Sequence, residues 1–135
     1  MFSKMNRYSD CGLLALRIVI GVIFILHGHM KWPMWDMSPS EQMPATMLTL
    51  IKILCVAEPL GGLALITGLF TRYAAIGHGL VMLGAINLKI NTWHTGFISQ
   101  HTTGWEFDLL ILAALVSLFL SGPGKYSLDR LLSKE

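Results

Sequence analysis

The sequence predicts an all-α integral membrane protein, an antiparallel four-helix bundle with a short C-terminal interfacial helix. Three observations predict it. Only 13% of the 135 residues are charged and 53% are hydrophobic, whereas a soluble domain carries about 25% charged residues. Four stretches approach the roughly 20 apolar residues that cross a bilayer. Lysine and arginine gather on alternate connections, as expected of a chain that weaves through a membrane. The length points to one domain over residues 1–135. A formal net charge of +2, with no basic stripe and no Cys/His finger, argues against nucleic acid as a partner.

The first span, residues 12–30, contains LLALRIVIGVIFILHGHM. It follows Lys4 and Arg7 as a signal peptide would. Its apolar run is too long for that and ends in HGHMKW with no small-residue cleavage site, so the segment is expected to be retained. Pro33, Pro39 and Pro44 interrupt the next loop, and SPSEQ is expected to start a short surface helix at Ser38 or Ser40. The second and third spans, 47–69 and 73–90, are joined by GLFTRY, a turn tight enough to require an antiparallel pair. The fourth span covers 105–121, and Gly122-Pro123-Gly124 stops it. In SLDRLL, Ser127 is a candidate N-cap and Leu128, Leu131 and Leu132 share a side. This helix is expected on the inner leaflet, with Lys125, Arg130 and Lys134 facing anionic head groups. The positive-inside rule puts Lys4, Arg7, Arg72 and both termini on the cytoplasmic side. Trp32, Trp35, Trp93 and Trp105 then mark the outer boundary.

Two charges fall inside the apolar spans, Arg17 and Glu58. A charge in hydrocarbon costs at least roughly 2.5 kcal/mol, so each should meet a partner or a polar cavity. Helical spacing puts Arg17, Gly21, Phe24 and Gly28 on one face, and Glu58, Gly61, Gly62 and Leu65 on another. In the third span Gly77, Val81 and Gly84 line up, with His78 beside them. Glycine faces let helices approach closely in lipid and carry the polar residues inward. Depth, at about 1.5 Å per residue, makes an Arg17–Glu58 contact with His78 nearby the expected arrangement. A working site and a structural counter-ion pair both fit it. Pro59 also frees the Cys55 carbonyl at this level. A second polar set gathers at the outer ends, including His27, His29, Lys89, Glu106 and Asp108. Glu106 and Asp108 diverge on a helix, and Glu106 is the one expected to point inward.

Few familiar chemistries fit the remaining residues. The HGH spacing diverges on a helix, and no HExxH or ExxH motif is present, so no metal is expected. His27 and His78 read as proton carriers, because histidine titrates near neutral pH. They read equally as side chains satisfied by one interhelical hydrogen bond. Cys11 and Cys55 differ in depth by about 20 Å, too far for a disulfide, and read as small apolar residues. There is no GxGxxG, GxxxxGK[ST] or GxSxG. A redox cofactor would have to diffuse in, as a lipid quinone does, or arrive with a partner.

LLALRIVIGVIFILHGHMKW, EPLGGLALITGLFTRYAA and GWEFDLLILAALVSLFLSGPGKYSLDRLL together resemble the DoxX family of small bacterial four-helix membrane proteins. The likeness covers most of residues 13–132, and GPGKYSLD after the fourth span is its most specific part. It matches at Arg17, Glu58, Arg72, Glu106, Gly122 and Pro123. The resemblance implies an inner-membrane protein like the membrane subunit of thiosulfate:quinone oxidoreductase, with other members linked to oxidative-stress complexes. On that reading Arg17 stabilises an anionic quinone oxygen, Glu58 exchanges protons, and His78 or His27 relays them. Glu106 stands at the outer end, and Phe24, Met82 and Trp105, with Phe107, line an apolar slot for the ring. A partner subunit or homo-oligomer is expected. The alternative is a membrane anchor or assembly partner without chemistry. A small transporter is a third reading, and without an inverted repeat it requires oligomerisation.

Overall fold

The structure, a computed structural model, describes residues 2–133, with side chains from Tyr8 to Ser133. Helix α1 is Phe2–Met30, α2 Ala45–Thr67, α3 Thr71–Asn91, α4 Trp105–Ser121 and α5 Leu128–Leu132, with a 3-10 turn at Trp32–Met34. The expected all-α four-helix architecture is present, and no strand occurs among the described residues. Helices α1, α2 and α3 are long and apolar enough to cross a membrane. Helix α4, at 17 residues, is about 25 Å long and sits at the lower limit for a span. The two long loops lie at one end of the bundle, the loop end. The α2–α3 turn and α5 lie at the other, the terminal end.

Boundaries follow local chemistry. Helix α1 starts well before the expected span because no proline or glycine interrupts residues 2–11. Side chains of Lys4 and Arg7, and Lys134 entirely, lie outside the described residues. Helix α2 begins after Pro44 and stops at Gly68, whose φ of 71° is left-handed. That places both ends two residues earlier than expected. The short helix expected at Ser38 or Ser40 is absent. Pro33 instead starts the 3-10 turn at Trp32–Met34, and the Ser40–Met43 turn meets Pro44 before it can lengthen.

Helix α1 lies along α2 and α3 along α4, while α2 and α3 touch over a shorter length. The α1–α2 crossing needs glycine on both sides. A Cβ added at Gly62 would lie 2.6 Å from Gly21 O, and one at Gly28 would strike the Pro59 ring. The expected faces of α1 and α2 are therefore the packed ones. On α3 the packed face is displaced by one position. Thr71, Ala75, His78 and Met82 are buried, whereas Gly77 and Gly84 are exposed with open space around them. Ile20, Phe24, Leu65, Ala75, Met82, Ile111, Leu115 and Leu118 form the core. Large apolar side chains such as Ile18, Leu60, Leu80 and Leu110 cover the outside of the spans, as lipid contact requires.

Candidate functional site: polar groups inside the bundle

Arg17 does not meet Glu58. Its side chain is fully buried at the terminal end, where Nη2 donates to the Tyr126 carbonyl. A Cβ on Gly68 would collide with Arg17 Nη1, so the guanidinium lies flat against the α2–α3 turn. Nε and Nη1 have no hydrogen-bond partner among the described residues. Asp129 is the acidic group whose field acts on the guanidinium. Ten residues of α2 separate Gly68 from Glu58, about 15 Å, which exceeds what the side chain can bridge.

Asp129 explains the GPGKYSLD segment. Its Oδ1 accepts from Phe70 N at 2.7 Å and its Oδ2 from Thr71 N at 2.9 Å, so it caps α3 from another element. Asp129 N donates to Gly68 O at 2.9 Å, and Lys125 N donates to Asp10 at 2.9 Å. Ser127 caps α5 through Arg130 N, as expected. The segment folds back under the bundle and is held there by α1, by the α2–α3 turn and by Arg17.

Glu58 pairs instead with Lys31. Lys31 Nζ lies 2.5 Å from Glu58 Oε2 and donates to His27 O at 3.0 Å. A matching pair crosses α3 and α4, with Lys89 Nζ 2.6 Å from Asp108 Oδ2. His27 is half-buried and lies within the fields of all four charges. Its ring is 6.5 Å from that of Phe107. The loop end of the bundle thus contains two ion pairs with an imidazole between them. Asp108 is the inward acidic residue, buried to 4% exposure. Glu106, expected to be the inward one, is only half-buried. Asp108 shares its stripe with Ile111, Leu115 and Leu118, and Glu106 lies off it.

His78 occupies the middle of the bundle. Its ring packs edge-on against Phe24 at 3.9 Å, with Nδ1 3.0 Å from Ala74 O and Nε2 3.3 Å from Glu58 O. A neutral imidazole donates from one nitrogen only, so the tautomer selects which carbonyl is served. The ring also forms the floor of a groove of about 260 Å³ between α2 and α3, walled by Ala57, Gly61, Ala74, Gly77 and Val81 with Glu58 behind. The groove lies halfway along both helices. Ala57 and Gly77 on its rim are exposed, so it opens to the outside of the bundle at hydrocarbon depth.

Of the sequence-derived site residues, the structure brings Glu58, His78 and Phe24 together. It places His27 one layer nearer the loop end and Arg17 one layer nearer the terminal end. Met82 is in the core with Phe24, but Trp105 packs apart on Phe97 at 4.5 Å. His29, His94 and His101 are exposed. Among the described residues no group of three His, Cys, Asp or Glu side chains could hold a metal. Cys55 is buried as expected, whereas Cys11 is exposed. Sequence reasoning missed Lys31 as a partner. The signal was present, since the buried stripe Arg17, Gly21, Phe24, Gly28 continues at 31.

Known proteins resemble this chain in sequence. The DoxX family model matches residues 12–94. The chain is 31% identical to the inner membrane protein YqjF of Escherichia coli, over 97% of this chain and 99% of that one. It is 30% identical to the putative oxidoreductase CatD of Bacillus subtilis, over 93% and 90% of the two chains. It is also 30% identical to the uncharacterized membrane protein Rv3486 of Mycobacterium tuberculosis, over 90% and 82%. No solved structure matches significantly. With the family model spanning more than half of the sequence and relatives aligned along almost all of it, the chain belongs to the DoxX family of bacterial membrane proteins.

Proposed function

We propose that the chain is the membrane subunit of a quinone-linked oxidoreductase, with the quinone headgroup entering the α2–α3 groove from the lipid. The observation that carries the reading is the His78 imidazole at the floor of an apolar groove that opens at bilayer depth. The residues fit the group. A volume of about 260 Å³ with small walls suits one flat ring, and binding sites of this kind are mostly apolar with few polar contacts. A bound quinone accepts electrons and protons. The single His78 N–H can turn from the carbonyl it serves, Ala74 O or Glu58 O, to a quinone oxygen, and Phe24 packs edge-on against the imidazole. Glu58, tied through Lys31 to the His27 carbonyl, forms the polar route from the loop end to the groove. Arg17 serves here as the clamp on the C-terminal segment, and Glu106 and Trp105 stand outside the site. The distribution of Lys and Arg supports termini on the cytoplasmic side. Electrons come from a partner subunit or a sulfur compound, in keeping with a role in oxidative stress.

A second reading is favoured by the ion pairs themselves. Both buried carboxylates are already engaged by lysines, and Arg17 is engaged by the chain's own terminus. Every inward charge then has a structural use, as in a membrane anchor that docks a partner on its tryptophan-rich loops. The test is to purify the protein in lipid nanodiscs, extract it for quinone, and titrate a water-soluble quinone analogue. Saturable binding weakened about tenfold by His78→Leu, the loss of one charge-free hydrogen bond, supports the redox reading. Folded wild-type protein without saturable binding selects the anchor.

A further inference from the structure

A second cavity, of about 570 Å³, lies at the terminal end, between residues 9–13 of α1, the GPGK turn and α5. Its charged walls are Arg72, Lys125, Arg130, Asp10 and Asp129. The two carboxylates are committed to backbone N–H groups, Asp129 to Phe70 and Thr71 and Asp10 to Lys125. None of the three cations forms an ion pair with a described residue. The Arg72 guanidinium lies across the turn, 3.6 Å from where a Cβ on Gly122 would be, and Gly122 has φ 77°, a conformation that side chains avoid. Around the cavity, Tyr8, Phe70, Tyr73 and Leu131 are exposed by 63% or more. Aromatic rings of this kind settle at the membrane–water boundary, and the leucines of α5 point the same way. The site therefore combines cations without an ion-pair partner among the described residues, a glycine turn under a guanidinium and a rim that sits at head-group depth.

We infer that this cavity binds the phosphodiester of an anionic phospholipid, held by Arg72 and Arg130 with Lys125 beside them. A phosphate anion satisfies the forked arginine donors better than water does. The lipid would thereby tie α3, α5 and the C-terminal turn to the leaflet at which the termini lie. This inference is independent of the quinone groove, which lies at mid-span.

Native mass spectrometry of delipidated protein, titrated with phosphatidylglycerol and with phosphatidylcholine of the same chains, tests it. Each basic contact near the surface is worth about fivefold in affinity. Phosphatidylglycerol should bind at least about fivefold tighter than phosphatidylcholine. Arg72→Gln and Arg130→Gln should each remove about that factor, while Lys52→Gln at the loop end leaves it intact. Arg72→Lys keeps the charge and loses the fork, so it should lose less binding than Arg72→Gln while falling short of wild type. Equal binding of the two lipids, or unchanged preference in a folded Arg72→Gln/Arg130→Gln protein, overturns the inference. Inorganic phosphate binding as tightly as the lipid also overturns it, because the cavity would then serve a free anion.

Discussion

Lys31 and Glu58 are unequal members of one ion pair: the lysine side chain is 23% exposed and the carboxylate 3%. Removing one partner of a buried pair costs about 3–5 kcal/mol when the other charge has no escape. Glu58 has none, whereas Lys31 can extend toward the loop end and water. Lys31→Met should therefore destabilise the protein by about 3 kcal/mol, and Glu58→Gln by about 1 kcal/mol. Thermal unfolding in detergent, with Lys31→Met/Glu58→Leu as the paired replacement recovering most of the loss, checks this order. At this scale the sequence was partly legible. Arg17, Glu58, His78 and Phe24 could be seen as inward because a charge or a glycine stripe marks their faces. The partner of each charge could not be seen, since depth arithmetic places residues along the helix axis and leaves their rotation between helices open. Lys31 and Asp108 lie on the stripes of buried residues, and following those stripes to the helix ends would have found both.

Single helices are governed by their glycines and caps. Gly21 and Gly62 lie back to back, so Gly62→Leu should push α1 from α2 and sharply reduce the amount of folded protein in the membrane. Gly84→Leu, on an open surface, should be tolerated. Immunoblots of membrane fractions compare the two directly. Asp129→Ala removes the cap of α3 and the latch of α5 together. It should cost about 1–2 kcal/mol and speed trypsin cleavage at Lys125 or Arg130 severalfold. The spans were legible because apolar length alone defines them, and α4 falls where its sequence places it. The start of α1 was not, since a charged, breaker-free lead can continue a helix into water without any apolar signal. The role of GPGKYSLD was equally hidden. Its helix stop and N-cap were readable, but the reach of Asp129 to the α2–α3 turn is a long-range contact that no local pattern encodes.

For the molecule as a whole, the polar interior is layered. From the terminal end inward come the Arg17 clamp, the His78 groove, and the pair of lysine–carboxylate bridges around His27. Two of these layers bind the chain to itself, and only the middle one opens to the outside at hydrocarbon depth. Orientation belongs to this scale too. In intact spheroplasts an impermeant maleimide should label Ser40→Cys at once, and the native exposed Cys11 only after permeabilisation. Labelling in the reverse order would invert the topology.

A quinone ring in the α2–α3 groove would lie against Gly77, which makes this position the one to fill. It lines the groove, and a side chain there meets nothing within 4 Å, so Gly77→Leu plugs the space without straining the fold. Replacing glycine in a helix also favours the helix by several tenths of a kcal/mol. Binding of a quinone analogue to nanodisc-held protein should fall at least about tenfold in Gly77→Leu, from steric exclusion of the ring, and stay unchanged in Gly84→Leu. Equal saturable binding in wild type and Gly77→Leu would exclude the groove and place the quinone on another surface of the bundle.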